Sequence, residues 1–358
     1  MSEIQKWTIH EPYLAIGGTL LEGPYHDAAI NEFRFIDIWD HKLYRLDLAR
    51  GPESLRVIET EDSIGVTANI AGETDQDDLI VGAKHGFARL NRTTGRLSYI
   101  REAWDDHPDR TRMKHLTPPK GDDVALDLTI TLYTYATPTP PPPFSLCHNW
   151  TMLSLTRPPF PSNSMRFNDG AVDSHGRFWA GTMNDPKVQA PRAEGTLFRL
   201  DPDLNLHAVV PHATIPNGIG WSPDEATMYW TDSATHCIFA FDFDAATGML
   251  SRRRVLVNVG EGLEPDGLAV DEAGNLWSAI YGGSRILRVS PKGEVTGVVE
   301  VPTKNPTCVA FVGTELWITS AADGRNVEEG GESVKMGGCV FRVDVGVRGL
   351  PKHEFRFE

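Results

Sequence analysis

Two carboxylates and two carboxamides recur at one phase of this sequence: Glu22, Asn168, Asn217 and Asp266. Each is followed five positions later by a small polar or acidic residue, pairing Glu22 with Asp27, Asn168 with Asp173, Asn217 with Ser222 and Asp266 with Asp271. Glycine comes directly after the first member in Glu22-Gly23, Asn217-Gly218 and Asp266-Gly267, and one residue later in Asn168-Asp169-Gly170. Taken singly, Asn-Gly and Asp-Gly are common turn dipeptides, and a lone glutamate is an ordinary solvated carboxylate. Four of them at one repeat phase point to a shared site. Two carboxylates and two amide oxygens brought together make a hard, oxygen-rich cluster suited to Ca²⁺, Mg²⁺ or Mn²⁺, with Zn²⁺ also within its range. Without a cation, carboxylates buried so close would repel one another and stay partly protonated.

A repeat is what could bring these residues to one point. An aromatic or large apolar anchor recurs in Phe33-Arg-Phe-Ile-Asp37, Leu79-Ile-Val-Gly-Ala83, Arg177-Phe-Trp-Ala-Gly181, Met228-Tyr-Trp-Thr-Asp232, Leu276-Trp-Ser-Ala279 and Leu316-Trp-Ile-Thr319. A second strand-like stretch follows each, as in Leu43-Tyr-Arg-Leu-Asp47, Phe87-Ala-Arg-Leu90, Leu197-Phe-Arg-Leu-Asp201 and Val340-Phe-Arg-Val-Asp344. Alternating, half-buried strands closed by Asp, Asn and Gly turns are predicted. The anchors Phe35, Ile80, Trp179, Trp230, Trp277 and Trp317 lie 45, 99, 51, 47 and 40 residues apart. Periods of this length, with several strands in each, are those of propeller blades, which bury their faces only against neighbouring blades. The expected fold is therefore all-β: a six-bladed β-propeller spanning residues 1–358 as one domain. Equivalent innermost strands would aim Glu22, Asn168, Asn217 and Asp266 at one mouth of the central channel.

The doubled interval contains a stretch without the blade pattern. Residues 114–165 read as an insertion, with prolines at 138, 140, 141, 142 and 143. Joining Met113 to Arg166 leaves an interval of 47, in line with the rest. A segment of that length without structure of its own is unusual inside a compact domain. A disordered surface insertion, a gene-model artefact such as a retained intron, and a functional lid are the three readings of it.

Composition narrows the partners. Among 358 residues the formal net charge is −15, which repels phosphate backbones and argues against nucleic acid. No apolar run approaches the ~20 residues needed to span a bilayer, and the amino-terminal residues lack a signal-peptide h-region. Cys147, Cys237, Cys308 and Cys339 are far apart and read as reduced thiols of a cytoplasmic protein. The twelve histidines show no paired metal-ligand spacing. Any metal would have to rely mainly on oxygen ligands. The single Tyr229-Trp-Thr-Asp232 string and the isolated Trp39-Asp40 are too few for a receptor-type or WD-repeat scaffold.

At these residues the sequence resembles the family of regucalcin (senescence marker protein), gluconolactonase and luciferin-regenerating enzyme. The matching stretches are Leu21-Glu-Gly-Pro24, Arg166-Phe-Asn-Asp-Gly170, Gly176-Arg-Phe-Trp-Ala-Gly-Thr-Met183, Pro216-Asn-Gly-Ile-Gly-Trp-Ser222 and Pro265-Asp-Gly-Leu268. Thr307-Cys-Val-Ala-Phe311, ahead of Leu316-Trp317, also fits. The resemblance implies metal ligands at Glu22, Asn217 and Asp266, and substrate contacts at Arg166 and Asn168. It implies one divalent cation (Ca, Zn, Mn or Mg) and a metal-dependent hydrolase that opens a small, sugar-type lactone. Asp266 is the candidate general base, while Arg166 and Asn168 orient the carbonyl. Some members carry an acidic residue just after the Gly-Thr-Met segment. Here the matching position is Pro186, beside Asp185. A calcium-binding regulatory propeller and a phosphotriesterase-like hydrolase are the alternatives that would use the same site.

Overall fold

The computed structural model describes residues 4–73, 78–104 and 162–358, and they form six sheets arranged in a ring. Of the predicted 114–165 insertion, all but the last four residues lie outside the described set. Those four are ordered: a short 3-10 turn, Ser162–Ser164, leads into Met165, the buried first residue of a strand.

The innermost strands of blades 1 to 6 are Leu21–Asp27, Ile64–Ala68, Met165–Val172, Pro216–Trp221, Glu264–Val270 and Pro306–Val312. Each pairs antiparallel with a second strand, and all six anchors fall on second strands. These strands are buried almost end to end, because each is sandwiched between two blades. Register refines the anchors. Three residues past Asn168 and Asp266, the partners are Trp179 and Trp277, and the same offset gives Arg34 in blade 1 and Tyr229 in blade 4. Phe35 and Trp230 therefore stand one position further along.

Blade 6 contributes only three strands of its own, and the start of the chain completes it. Tyr13 and Leu14 both donate their N–H to the Val340 carbonyl, and Tyr13 packs on Trp317 with ring centroids 5.0 Å apart. Just before, Gln5–Thr8 adds a parallel strand outside blade 5, with Trp7 against Trp277. The end of the chain crosses the far mouth of the channel. Gly349 bridges to Asp271 in blade 5, Phe355 to Ile70 in blade 2, and the Arg356 N–H donates to Gly176 O in blade 3. The three described cysteines, Cys237, Cys308 and Cys339, are free and buried. No helix among the described residues is long and apolar enough to cross a membrane.

Candidate functional site

A β-bulge in each inner strand positions the site. One extra residue sits between Phe167 and Gly170, between Pro216 and Ile219, and between Pro265 and Leu268. Such a bulge re-aims a side chain, and Asn168, Asn217 and Asp266 are the first residues of theirs. In blade 1 the extra residue comes one position later, between Glu22 and Tyr25. The glycines after these residues make no turns. A Cβ on Gly218 would lie 2.5 Å from the Leu268 nitrogen, and one on Gly267 would lie 2.1 Å from Cys308 Sγ. Only glycine lets neighbouring inner strands approach this closely. At the corresponding position blade 2 has Gly65, and blade 6 has Thr307, whose hydroxyl is engaged with Leu21 O and Thr319 Oγ1; the other four blades supply the carboxylates and carboxamides.

Arg166, Asn168 and Asn217 are joined by one chain of hydrogen bonds. Arg166 Nη1 donates to Asn168 Oδ1 at 2.7 Å and to Phe167 O at 2.9 Å. Asn168 Nδ2 donates to Pro216 O at 2.8 Å and to Asn217 Oδ1 at 3.1 Å. Asn217 Nδ2 donates to Ser233 Oγ at 2.9 Å, and that hydroxyl donates to Pro265 O at 2.7 Å, next to Asp266. Blades 3, 4 and 5 are thereby tied in series. Both ends of the Asn168 amide are engaged with protein partners, which makes it the holder of Arg166 and Asn217.

The carboxylates are poorly satisfied by contrast. Glu22 accepts its neighbour's Gly23 N–H at 3.3 Å, and buried Asp266 Oδ1 has no hydrogen-bond partner. Burial, then repulsion from Asp169, pushes Glu22 up to about 8, against relief from Gly23 N–H and Arg166. Burial, then Glu22 and Asp169, pushes Asp266 well above the usual carboxylate range. Burial likewise pulls the Arg166 guanidinium down to about 10, while Asp185, Glu22 and Asp266 push the other way. An unpartnered buried carboxylate oxygen beside a second carboxylate is a hard-donor set lacking its positive charge. Glu22, Asp266 and the Asn217 amide therefore fit a divalent cation. Among the described residues no group of three His, Cys, Asp or Glu side chains is placed to hold a metal ion.

Three residues join the site unannounced. Asp169, inside the Arg-Phe-Asn-Asp-Gly stretch, is buried beside Glu22, and burial raises its carboxyl to about 6 despite the Gly170 N–H at 2.7 Å. Tyr281 stands opposite Glu264 in register, and burial together with Asp266, Glu264, Asp323 and Glu22 keeps its phenol protonated. Ser233 follows the Tyr229-Trp-Thr-Asp232 string and links Asn217 to blade 5. Only Asp169 carried a signal in its neighbours. The other two are set by cross-strand and cross-blade contacts.

Residues 20–115 and 146–322 match the family model described as SMP-30/Gluconolactonase/LRE-like region. The gap between the two matches lies inside the Pro-rich segment. A 6-deoxy-6-sulfogluconolactonase from Pseudomonas putida is 38% identical over 206 residues, covering 56% of this chain and 69% of that protein. A regucalcin from Xenopus laevis is 37% identical over 222 residues, covering 58% and 73%. Among solved structures, a regucalcin from Agrobacterium tumefaciens, described as a calcium-binding protein, superposes with a TM-score of 0.73 at 21% identity, covering 99% of each chain. A luciferin-regenerating enzyme gives 0.70 at 22% identity, covering 96% of this chain and 97% of its own. At those identities the likeness shows the shared propeller.

Proposed function

Because the chain belongs to the SMP-30/gluconolactonase/LRE-like family, we propose that it is a divalent-cation-dependent hydrolase that opens a small, sugar-type lactone. The observation that carries the reading is the unpartnered Asp266 carboxylate oxygen, buried with Glu22 at a channel mouth where Arg166 also lies. Glu22, Asn217 and Asp266 would hold the cation. Once bound, it supplies a Lewis acid and lowers the pKa of water at the site. A lactone is a cyclic ester, so hydrolysis forms a bond from water oxygen to the acyl carbon and breaks the ring C–O bond. Asp266 accepts the proton of the attacking water and returns it to the leaving ring oxygen, giving a hydroxy acid. Arg166, with its Nε also unpartnered and buried, donates to the substrate's oxygens, and Asn168 keeps it aimed.

The test is a lactone panel run on cation-stripped protein reloaded with Ca²⁺, Mg²⁺, Mn²⁺ or Zn²⁺ in turn. Turnover of a sugar-type lactone that vanishes on chelation and returns with one of these ions is expected. Cation binding without turnover of any lactone would instead leave a binding propeller, and preferential turnover of organophosphate esters would reassign the reaction.

A further inference from the structure

Arg166 has a second neighbour on the side away from Asn168, and it belongs to a built arrangement spanning two blades. Lys84 and Asp185 each directly follow the second strand of their blade, Asp78–Ala83 in blade 2 and Phe178–Asn184 in blade 3. Lys84 Nζ lies 3.2 Å from Asp185 Oδ2, with the side chains 23% and 8% exposed. Asp185 Oδ1 accepts the Lys187 N–H at 3.0 Å, so both carboxylate oxygens are held. The backbone is held as well: the Asp185 N–H donates to Ser164 O, and its carbonyl accepts from Val188 and Gln189. Lys187 Nζ then reaches the Trp39 carbonyl of blade 1 at 2.7 Å. This turn thus spans the wall of the mouth from blade 3 across blade 2 to blade 1.

Register connects this wall to the site. Arg166 stands directly opposite Met183, and its neighbour Met165 opposite Asn184. Asp185 is two residues past Met183, hence on the same face and diagonal to Arg166 across the strand pair, a spacing that long side chains bridge. Arg166 Nη1 is already committed to Asn168 and Phe167.

We propose that Asp185 is a positioning residue that sets the orientation of Arg166 toward the substrate, and that Lys84 from the neighbouring blade fixes Asp185 in that place. The inference rests on the lactonase reading above and adds two residues to it. Asp185, with Glu22 and Asp266, favours the charged form of the Arg166 guanidinium against its burial, in keeping with this arrangement. Lys84 prevents Asp185 from swinging into a direct pair that would draw Arg166 off Asn168.

The experiment is a mutant cycle on the full chain, using the lactone and cation that give turnover. Asp185→Asn is expected to lower kcat/KM by roughly 10- to 100-fold, the range for misplacing an orienting group, with cation affinity within a few-fold of wild type. In an Arg166→Ala background the same change should cost less than about two-fold, since its effect runs through Arg166. Lys84→Met should lower kcat/KM in the same direction by a smaller factor, and Lys84→Arg should restore most of it. Melting temperatures of all variants separate loss of fold from loss of orientation. Full additivity of Asp185→Asn with Arg166→Ala, or an equal loss of cation affinity, would overturn the inference and leave the lactonase reading standing. A wild-type protein that turns over no lactone would overturn that reading and this inference together.

Discussion

The two ends of the inner strands carry similar side chains in opposite states. At the channel mouth stand Glu22, Asn168, Asn217 and Asp266, and five residues on, at the far end, stand Asp27, Asp173, Ser222 and Asp271. The far carboxylates are saturated. Asp173 accepts from the backbone N–H of His175 and Arg177, from Arg177 Nε at 2.6 Å and from the Trp179 indole at 2.9 Å. Asp271 accepts from Ala273 N, Asn275 N, Asn275 Nδ2 and the Trp277 indole. Asp266, five residues earlier on the same strand and nearly as buried, has an oxygen with no partner. Burial therefore does not distinguish the sets. Satisfaction does: Asp173 and Asp271 close the hairpin and lock the second strand's tryptophan, whereas the near carboxylates are left wanting a positive charge.

The strongest way to break this comparison is to neutralise one member of each set. Asp266→Asn is expected to lower turnover by roughly 10²- to 10⁴-fold, the range for losing a general base, while the cation-free protein melts at or above the wild-type temperature. Removing an unpartnered buried charge relieves a cost. Asp271→Ala should do the reverse. It strands the Trp277 indole and two backbone N–H groups, costing about 3 kcal/mol of stability, with kcat nearly unchanged below the melting transition. Urea unfolding alongside kinetics separates the two. If Asp266→Asn unfolds the protein, or Asp271→Ala abolishes turnover in folded protein, the division between the two ends is wrong.

Cation binding should act on one end alone. Saturating the mouth at about 100 times Kd stabilises the folded protein by about 2.7 kcal/mol through mass action, and a chelator removes that increment. Asp271→Ala should retain the whole increment, and Asp266→Asn should lose most of it. A thermal-shift titration of both variants reads this directly. An equal response from the two would mean that the ion binds elsewhere.

Much of this was legible from residue order, and the misreadings have physical causes. The repeat located every second strand, because a strand buried between two blades must be apolar along its length. It missed register by one residue in blades 1 and 4, where Phe35 and Trp230 drew the eye from Arg34 and Tyr229. The constant spacing of five linked the near and far residues correctly, but it could not say that one is a ligand candidate and the other a hairpin clamp. Asn217-Gly218 and Asp266-Gly267 read as turn dipeptides taken singly, yet their glycines exist for inter-blade contact, which has no local signature. Lys84 and Asp185 are 101 residues apart, and only the packing of blade 2 against blade 3 brings them together. The chain's two ends were silent for the same reason: Tyr13 and Leu14 complete blade 6, and Phe355 crosses to blade 2, contacts made across nearly the whole sequence.

The finest test lies within the far set, at Ser222. Blade 4 has Tyr229 where blades 3 and 5 have tryptophan, so the indole that Asp173 and Asp271 clamp has no counterpart at that position. Ser222 is neutral and half-buried, and its hydroxyl accepts the Thr227 N–H at 3.0 Å while donating to Asp224 Oδ1 at 2.5 Å. The backbone closure between Ser222 N and Thr227 O at 2.9 Å survives loss of the hydroxyl, and water can reach the Thr227 N–H. Ser222→Ala should therefore cost about 0.5–1 kcal/mol, the value of one ordinary hydrogen bond, and leave both cation affinity and kcat/KM unchanged. A loss near that of Asp271→Ala would mean that the hairpin clamp does not depend on charge and indole pairing. A loss of turnover would place Ser222 with the mouth residues, and the spacing of five would then join two functional groups.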